Sequence, residues 1–198
     1  MSDPHIFDAG PAINFLATKN QRILIAAING SFQVPEAVRD EVMRKAAEKP
    51  HLAPAAQEWR KIEKNWIELH PATRTPNLDR IALALTRNPL PSVPSRAKDL
   101  GETYVVVHAF EQALAGNKVF VIIDDQGGKA LTFRAQRLLA TQRRVRPHVG
   151  SIGLITTEII LADNPTHRVS QTSRACGAST HSCRTSPADS LLSARPTC

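Results

Sequence analysis

The stretch VFVIIDDQGGK, residues 119–129, decides how the rest of the chain is read. Five consecutive β-branched or aromatic residues, bounded by charge and glycine, predict a strand buried on both faces, as in a parallel sheet. Asp124 and Asp125 close that strand, and in open α/β sheets ligands collect beyond the carboxyl ends of the strands. Gly127 and Gly128 then turn the chain into a predicted helix over 129–144, opening with Lys129. An aspartate before a helix also acts as a cap whose charge offsets the dipole by about 0.3–1 kcal/mol. The pair therefore has a structural reading beside the chemical one.

The same grammar recurs upstream. A short apolar run, 5–7, ends at Asp8, and Gly10-Pro11 opens a helix with proline in its first turn. A second helical pattern covers 22–28, and 32–34 reads as a short strand. PEAVRDEVMRKAAEK, from Pro35, has proline first, acids early and bases late, which predicts a helix. Val38, Val42 and Ala46 form its inward stripe, and Glu41 lies on the edge of that stripe, where it can face a cleft at the sheet end. Residues 57–70 read as helix or short strand, with Trp59 and Trp66 as packing residues, and 78–85 as a short helix. After a proline-studded loop, Asp99-Leu100-Gly101-Glu102 precedes TYVVVHAFEQALA. Its β-branched run suggests a strand, but the 3.6-residue spacing of Val106, Ala109, Phe110 and Ala113 predicts a helix with Asp99 as N-cap and Glu102 in the first turn. His108 reads as a surface or edge residue. An edge strand is expected over 145–149 and a helical segment over 150–160.

From residue 164 the apolar periodicity stops and serine, threonine and arginine dominate. Such a segment cannot offset a chain entropy of roughly 1–2 kcal/mol per ordered residue, so a disordered tail over 164–198 is expected behind a domain over 1–163. All three cysteines fall in that tail, which excludes a disulfide framework for the core, and their spacing is too long for a zinc knuckle. No apolar run approaches the ~20 residues of a membrane helix and no basic-then-apolar leader opens the chain, which gives a cytoplasmic expectation with no membrane partner. A formal charge of +7 favours an anionic partner such as nucleic acid.

Acids thus stand at or near the ends of separate elements: Asp8, Glu41, Asp99 or Glu102, and Asp124 or Asp125. Clustered carboxylates repel and need a cation to stay ionised together, and an all-oxygen set suits Mg²⁺ or Mn²⁺. The blocks IFDAGPAINFL, VPEAVRDEV, DLGETYVVVHA, VFVIIDDQGGKA and VGSIGLIT, in this order and spacing, resemble those of PIN-domain ribonucleases, the family of VapC-type toxins. The resemblance covers residues 5 to about 160 and implies a three-layer α/β fold with a mostly parallel sheet flanked by helices. It further implies a Mg²⁺- or Mn²⁺-dependent endoribonuclease, the toxin of a type II toxin-antitoxin pair, with RNA and a cognate antitoxin as partners and a homodimer as a further expectation. Asp8, Glu41, Glu102 and Asp125 match the family acids, with Asp99 and Asp124 as neighbouring metal ligands and Lys129 as a phosphate contact. Two departures stand out. Ala9 and Gly10 occupy the place of a supporting hydroxyl or amide residue, and Lys129 that of an arginine. They favour an alternative, a catalytically impaired RNA- or antitoxin-binding protein; an aspartyl-phosphate phosphatase is disfavoured because no D-x-D follows Asp8.

Overall fold

Short strands that feed helices build the molecule, and two of them, at residues 5–7 and 118–122, run into aspartates. The computed structural model describes residues 3–71, 73–90 and 100–163, so Asp99, expected as N-cap and metal ligand, and the tail expected over 164–198 lie outside the described residues. In chain order the elements are β1 (His5–Phe7), α1 (Ala9–Ala17), α2 (Gln21–Ile28), β2 (Phe32–Pro35), α3 (Glu36–Glu48), a single 3₁₀ turn (Pro50–Leu52), α4 (Ala53–Trp66) and β3 (Ile67–His70). There follow α5 (Pro76–Thr86), α6 (Leu100–Leu114), β4 (Lys118–Ile122), α7 (Gln126–Arg143), β5 (Ser151–Ile155) and α8 (Thr157–Ala162). The strands form one sheet in the order β3-β2-β1-β4-β5, parallel throughout, and helices flank it to give an α/β fold.

Local chemistry explains where the helices start. Asp8 caps α1, Thr75 caps α5 by accepting from Leu78 N at 3.1 Å, Asp125 caps α7 and Thr156 caps α8. Each side-chain oxygen satisfies a backbone donor that the helix itself cannot. The buried core is continuous, from Ile6 and Phe7 on β1 through Val34, Val38 and Val42 to Val119, Val121 and Ile122 on β4. Val105, Val106 and Val107 are all fully buried, because α6 lies against β1, β2, β4 and β5 on one side and against α3, α5 and α7 elsewhere. The β-branched run is there a helix apolar on every side, as a fully enclosed helix must be.

Three expectations change. The 57–70 segment is both helix and strand, α4 passing directly into β3. The last strand is Ser151–Ile155, paired in full register with Lys118–Ile122, whereas 145–149 contains no strand and the helix begins only at Thr157. His108 is 6% exposed, so it is a core residue; the helix that carries it has no outward face at that level.

Candidate active site

β1 and β4 are neighbours, yet the chain runs from β1 to β2 on one side and from β4 to β5 on the other. Such a switch in strand order opens a crevice at the carboxyl ends, because the connecting helices diverge there. The pairing continues up to the lip of the crevice: Asp8 N donates to Ile122 O at 3.1 Å and Ile123 N to Ile155 O at 3.1 Å. Asp8, Asp124 and Asp125 are the side chains that follow.

Asp8 is 4% exposed, and its Oδ2 accepts from Gly10 N at 3.2 Å. Burial pushes its carboxyl up to about 6; the N–H groups of Gly10 and Ala9 oppose that, Glu41 adds to it and Lys45 eases it. Desolvation outweighs the capping bonds because a charge loses more on leaving water than two amides return. Glu41 reaches the same spot from α3, with Oε1 2.6 Å from Lys45 Nζ. Its Oε2 faces the first turn of α6, and the fit there is close: a Cβ on Gly101 would stand 3.0 Å from that Oε2, 3.2 Å from Val38 Cγ2 and 3.6 Å from Asp8 Oδ1. Only a residue without a side chain lets α6 enter between the two acids.

The next residue serves a second pair. A Cβ on Gly127 would lie 3.0 Å from Asp125 Oδ1 and 3.3 Å from Glu102 Oε2, and one on Gly128 would be 3.3 Å from the same Glu102 oxygen. Asp125 is exposed and accepts from Gly127 N at 2.6 Å, so its structural role as a cap is real. A carboxylate has about four lone-pair directions, and one capping bond leaves it others. Asp124 turns elsewhere. Its Oδ1 accepts from Thr157 N at 2.8 Å and its Oδ2 from Thr157 Oγ1 at 2.5 Å and Asn14 Nδ2 at 3.2 Å. With three donors satisfied, Asp124 ties α1, β4 and α8 together.

No family model, curated protein or solved structure matches the chain. Among the described residues no group of three or more His, Cys, Asp or Glu side chains comes together closely enough to hold a metal ion. The acids instead fall into two pairs, Asp8 with Glu41 and Glu102 with Asp125, meeting at the Gly101-Glu102 step. Mg²⁺ often takes only one or two protein carboxylates and fills its octahedron with water and substrate phosphate oxygens, so an all-oxygen pair fits it. Lys129 sits half-buried in the first turn of α7, its N–H bonded to Asp125 O at 3.0 Å.

Sequence reading missed Asn14, Thr157 and Lys45. Asn14 is the exposed polar residue amid the buried Ala12, Ile13, Phe15 and Leu16, which marks it as outward-facing, but nothing local points it at a residue 110 positions later. Lys45 was legible, since an acid followed four residues later by a lysine on a helix is an ion-pair spacing.

Proposed function

We propose that the chain is a Mg²⁺- or Mn²⁺-dependent endoribonuclease of the PIN type, acting as the toxin of a toxin-antitoxin pair. The observation that carries the reading is the meeting of two carboxylate pairs around Gly101 and Gly127 at the strand-order switch of a parallel sheet. Asp8 and Asp125, with Glu41 and Glu102 beside them, would hold the metal. When bound, such an ion lowers the pKa of a coordinated water and takes up charge on the phosphate.

The remaining work belongs to the chain's own groups. Asp8, kept out of water with a raised affinity for protons, has charge to give up only to a cation, which makes it a strong oxygen donor once a cation arrives. Asp125 is the freer of the adjacent aspartates because Asp124 is bound by Thr157 and Asn14. Asn14 supplies an amide to the site that Ala9 and Gly10 do not. Lys129 in the first turn of α7 is the proposed phosphate contact. The proposed setting is the cytoplasm, with a cognate antitoxin and a homodimer as further partners; among the described residues no helix is long and apolar enough to cross a membrane.

A second reading, an impaired RNA- or antitoxin-binding protein, is favoured by one contact. Lys45 already gives Glu41 a cation at 2.6 Å, and so meets part of the demand that a metal would meet. Cleavage of a mixed single-stranded RNA in Mg²⁺, Mn²⁺ or excess chelator separates the two. Metal-dependent cleavage that is lost in Asp8→Asn and Asp125→Asn supports the nuclease. Cleavage in chelator, or undiminished cleavage by both variants, removes the metal mechanism, and no cleavage with any metal leaves the binder.

A further inference from the structure

An open groove of about 340 Å³ leaves the acid site along α7. Glu102 and Gly127 line its near end, Leu85 and Thr86 of α5 and Leu131 of α7 its walls, and Arg134 its far end. Gly127, Leu131 and Arg134 are spaced i, i+4, i+7, so one helical face carries them all, and the seven-residue separation sets Arg134 about 10 Å along the axis from the acids. Arg134 is half-buried and makes no ion pair with any described residue. A guanidinium that lines a groove and pairs with no described carboxylate is suited to a phosphate, which its planar fork binds through two parallel N–H groups.

At the rim of the groove stands a half-exposed aromatic. Phe133 is 51% exposed on the turn after Ala130, which also lines the groove. An exposed phenyl ring next to a phosphate-binding cation is the pairing by which proteins hold single strands, the ring stacking on a base and the cation tracking the backbone. The groove's volume lies at the low end of the ~300–1,000 Å³ of small-ligand sites. At ~3.4 Å per stacked nucleotide, the 10 Å from the acids to Arg134 corresponds to about three nucleotides, fewer if the strand is stretched.

We propose that the groove between the end of α5 and α7 is a subsite for single-stranded RNA flanking the cleaved phosphate, with Arg134 binding a phosphate and Phe133 carrying a base. The assignment rests on the ribonuclease reading for the word "cleaved" but not for the binding itself, and the test uses that difference. Binding of a short fluorescein-labelled single-stranded RNA of mixed sequence to the full chain is measured in excess chelator across a salt series. The proteins are wild type, Arg134→Ala, Arg134→Lys and Phe133→Ala, each checked for folding by its unfolding midpoint. Arg134→Ala weakens binding on the order of tenfold at low salt and flattens the slope of log K against log salt by about 0.7, one phosphate contact, while Arg134→Lys keeps most of the slope. Phe133→Ala weakens binding on the order of tenfold at every salt and leaves the slope alone. Wild-type binding with an unchanged constant and slope in Arg134→Ala overturns the subsite, whether or not Mn²⁺-dependent cleavage is present. Binding that depends on Arg134 in a protein that cleaves nothing upholds the subsite and sinks the nuclease. A wild type that binds no RNA in chelator overturns the subsite and leaves the nuclease to the cleavage assay.

Discussion

Replacing Asp8 by Asn removes a buried charge and leaves its shape. Asp8 ionises near pH 6 in the fold instead of 3.8. At ~1.36 kcal/mol per pH unit, that places a cost of about 3 kcal/mol on the folded, metal-free protein at neutral pH. The direction follows from proton counting. Below about pH 4 the carboxyl is protonated in both states and costs nothing; between 4 and 6 the folded state alone retains the proton and stability falls as pH rises; above about 6 the full cost stands. Asn is as good an N-cap as Asp, so the bond from Gly10 N survives. The new amide N–H₂ needs an acceptor, and Glu41 is at hand, which puts the expected gain at about 2 kcal/mol at pH 7.5 in chelator. For a protein of this size that raises the unfolding midpoint by about 4–8 °C. The assay is thermal unfolding of wild type and Asp8→Asn side by side at pH 7.5 and pH 4. Taking the difference between the two proteins cancels every titrating group not coupled to Asp8, which leaves Glu41 and Lys45 as its neighbours. A gain at pH 7.5 that vanishes at pH 4 is the expected result, and Mn²⁺ should then raise the wild-type midpoint but not that of the variant. A variant less stable than wild type at pH 7.5, or a difference independent of pH, would refute the argument that Asp8 is held against its own ionisation.

His108 should show the opposite slope: burial, with His70 adding to it, pushes its pKa down to about 4, so its contribution is present above 6.5 and lost as pH falls towards 4. His108→Leu removes that loss together with a buried, unpartnered Nε2, and should stabilise by about 2 kcal/mol at pH 5 relative to wild type, read by denaturant unfolding. Thr157→Val, which removes a part-buried donor from Asp124, should cost about 1–3 kcal/mol and Asn14→Ala, which removes an exposed one, about 0.5–1 kcal/mol, the double variant departing from the sum because both act on one carboxylate. Gly128→Ala would push a methyl to 2.6 Å from Ile123 Cγ2, and overpacking of that kind costs about 1–3 kcal/mol, measured as a lowered unfolding midpoint.

The central strand was legible because a parallel strand buried on both faces must be apolar throughout, and Val119 to Ile122 obey that. The acids at its end were legible for the same reason, as the first residues able to reach water. β5 was not, because Ser151 and Gly153 break the apolar run of an edge strand. What makes Gly153 right for a strand is the Phe120 ring of β4 crowding its α-carbon, and no local pattern records that. His108 was misread because a single polar residue in a helix normally marks the wet side, and α6 has no wet side at that level. The acids' partners split along the same line: Glu41 and Lys45 share a helix turn and could be paired on paper, whereas the bonds from Asn14 and Thr157 to Asp124 span 110 and 33 residues.

The clasp on Asp124 also sets a clock. Asp8 leaves the ribosome near the beginning of synthesis, Asp125 far later, and the Thr157 hydroxyl that steadies the neighbouring Asp124 is made after the last strand of the sheet. At ~5–20 residues per second, roughly 7–30 s separate the first acid from that hydroxyl. From Asp125 onward the nascent chain holds every described acid of the crevice without its clasp, and a product truncated before Thr157 carries those acids with Asp124 lacking two of its three donors. The clasp thus arrives in one step with the last described helix rather than accumulating along the chain.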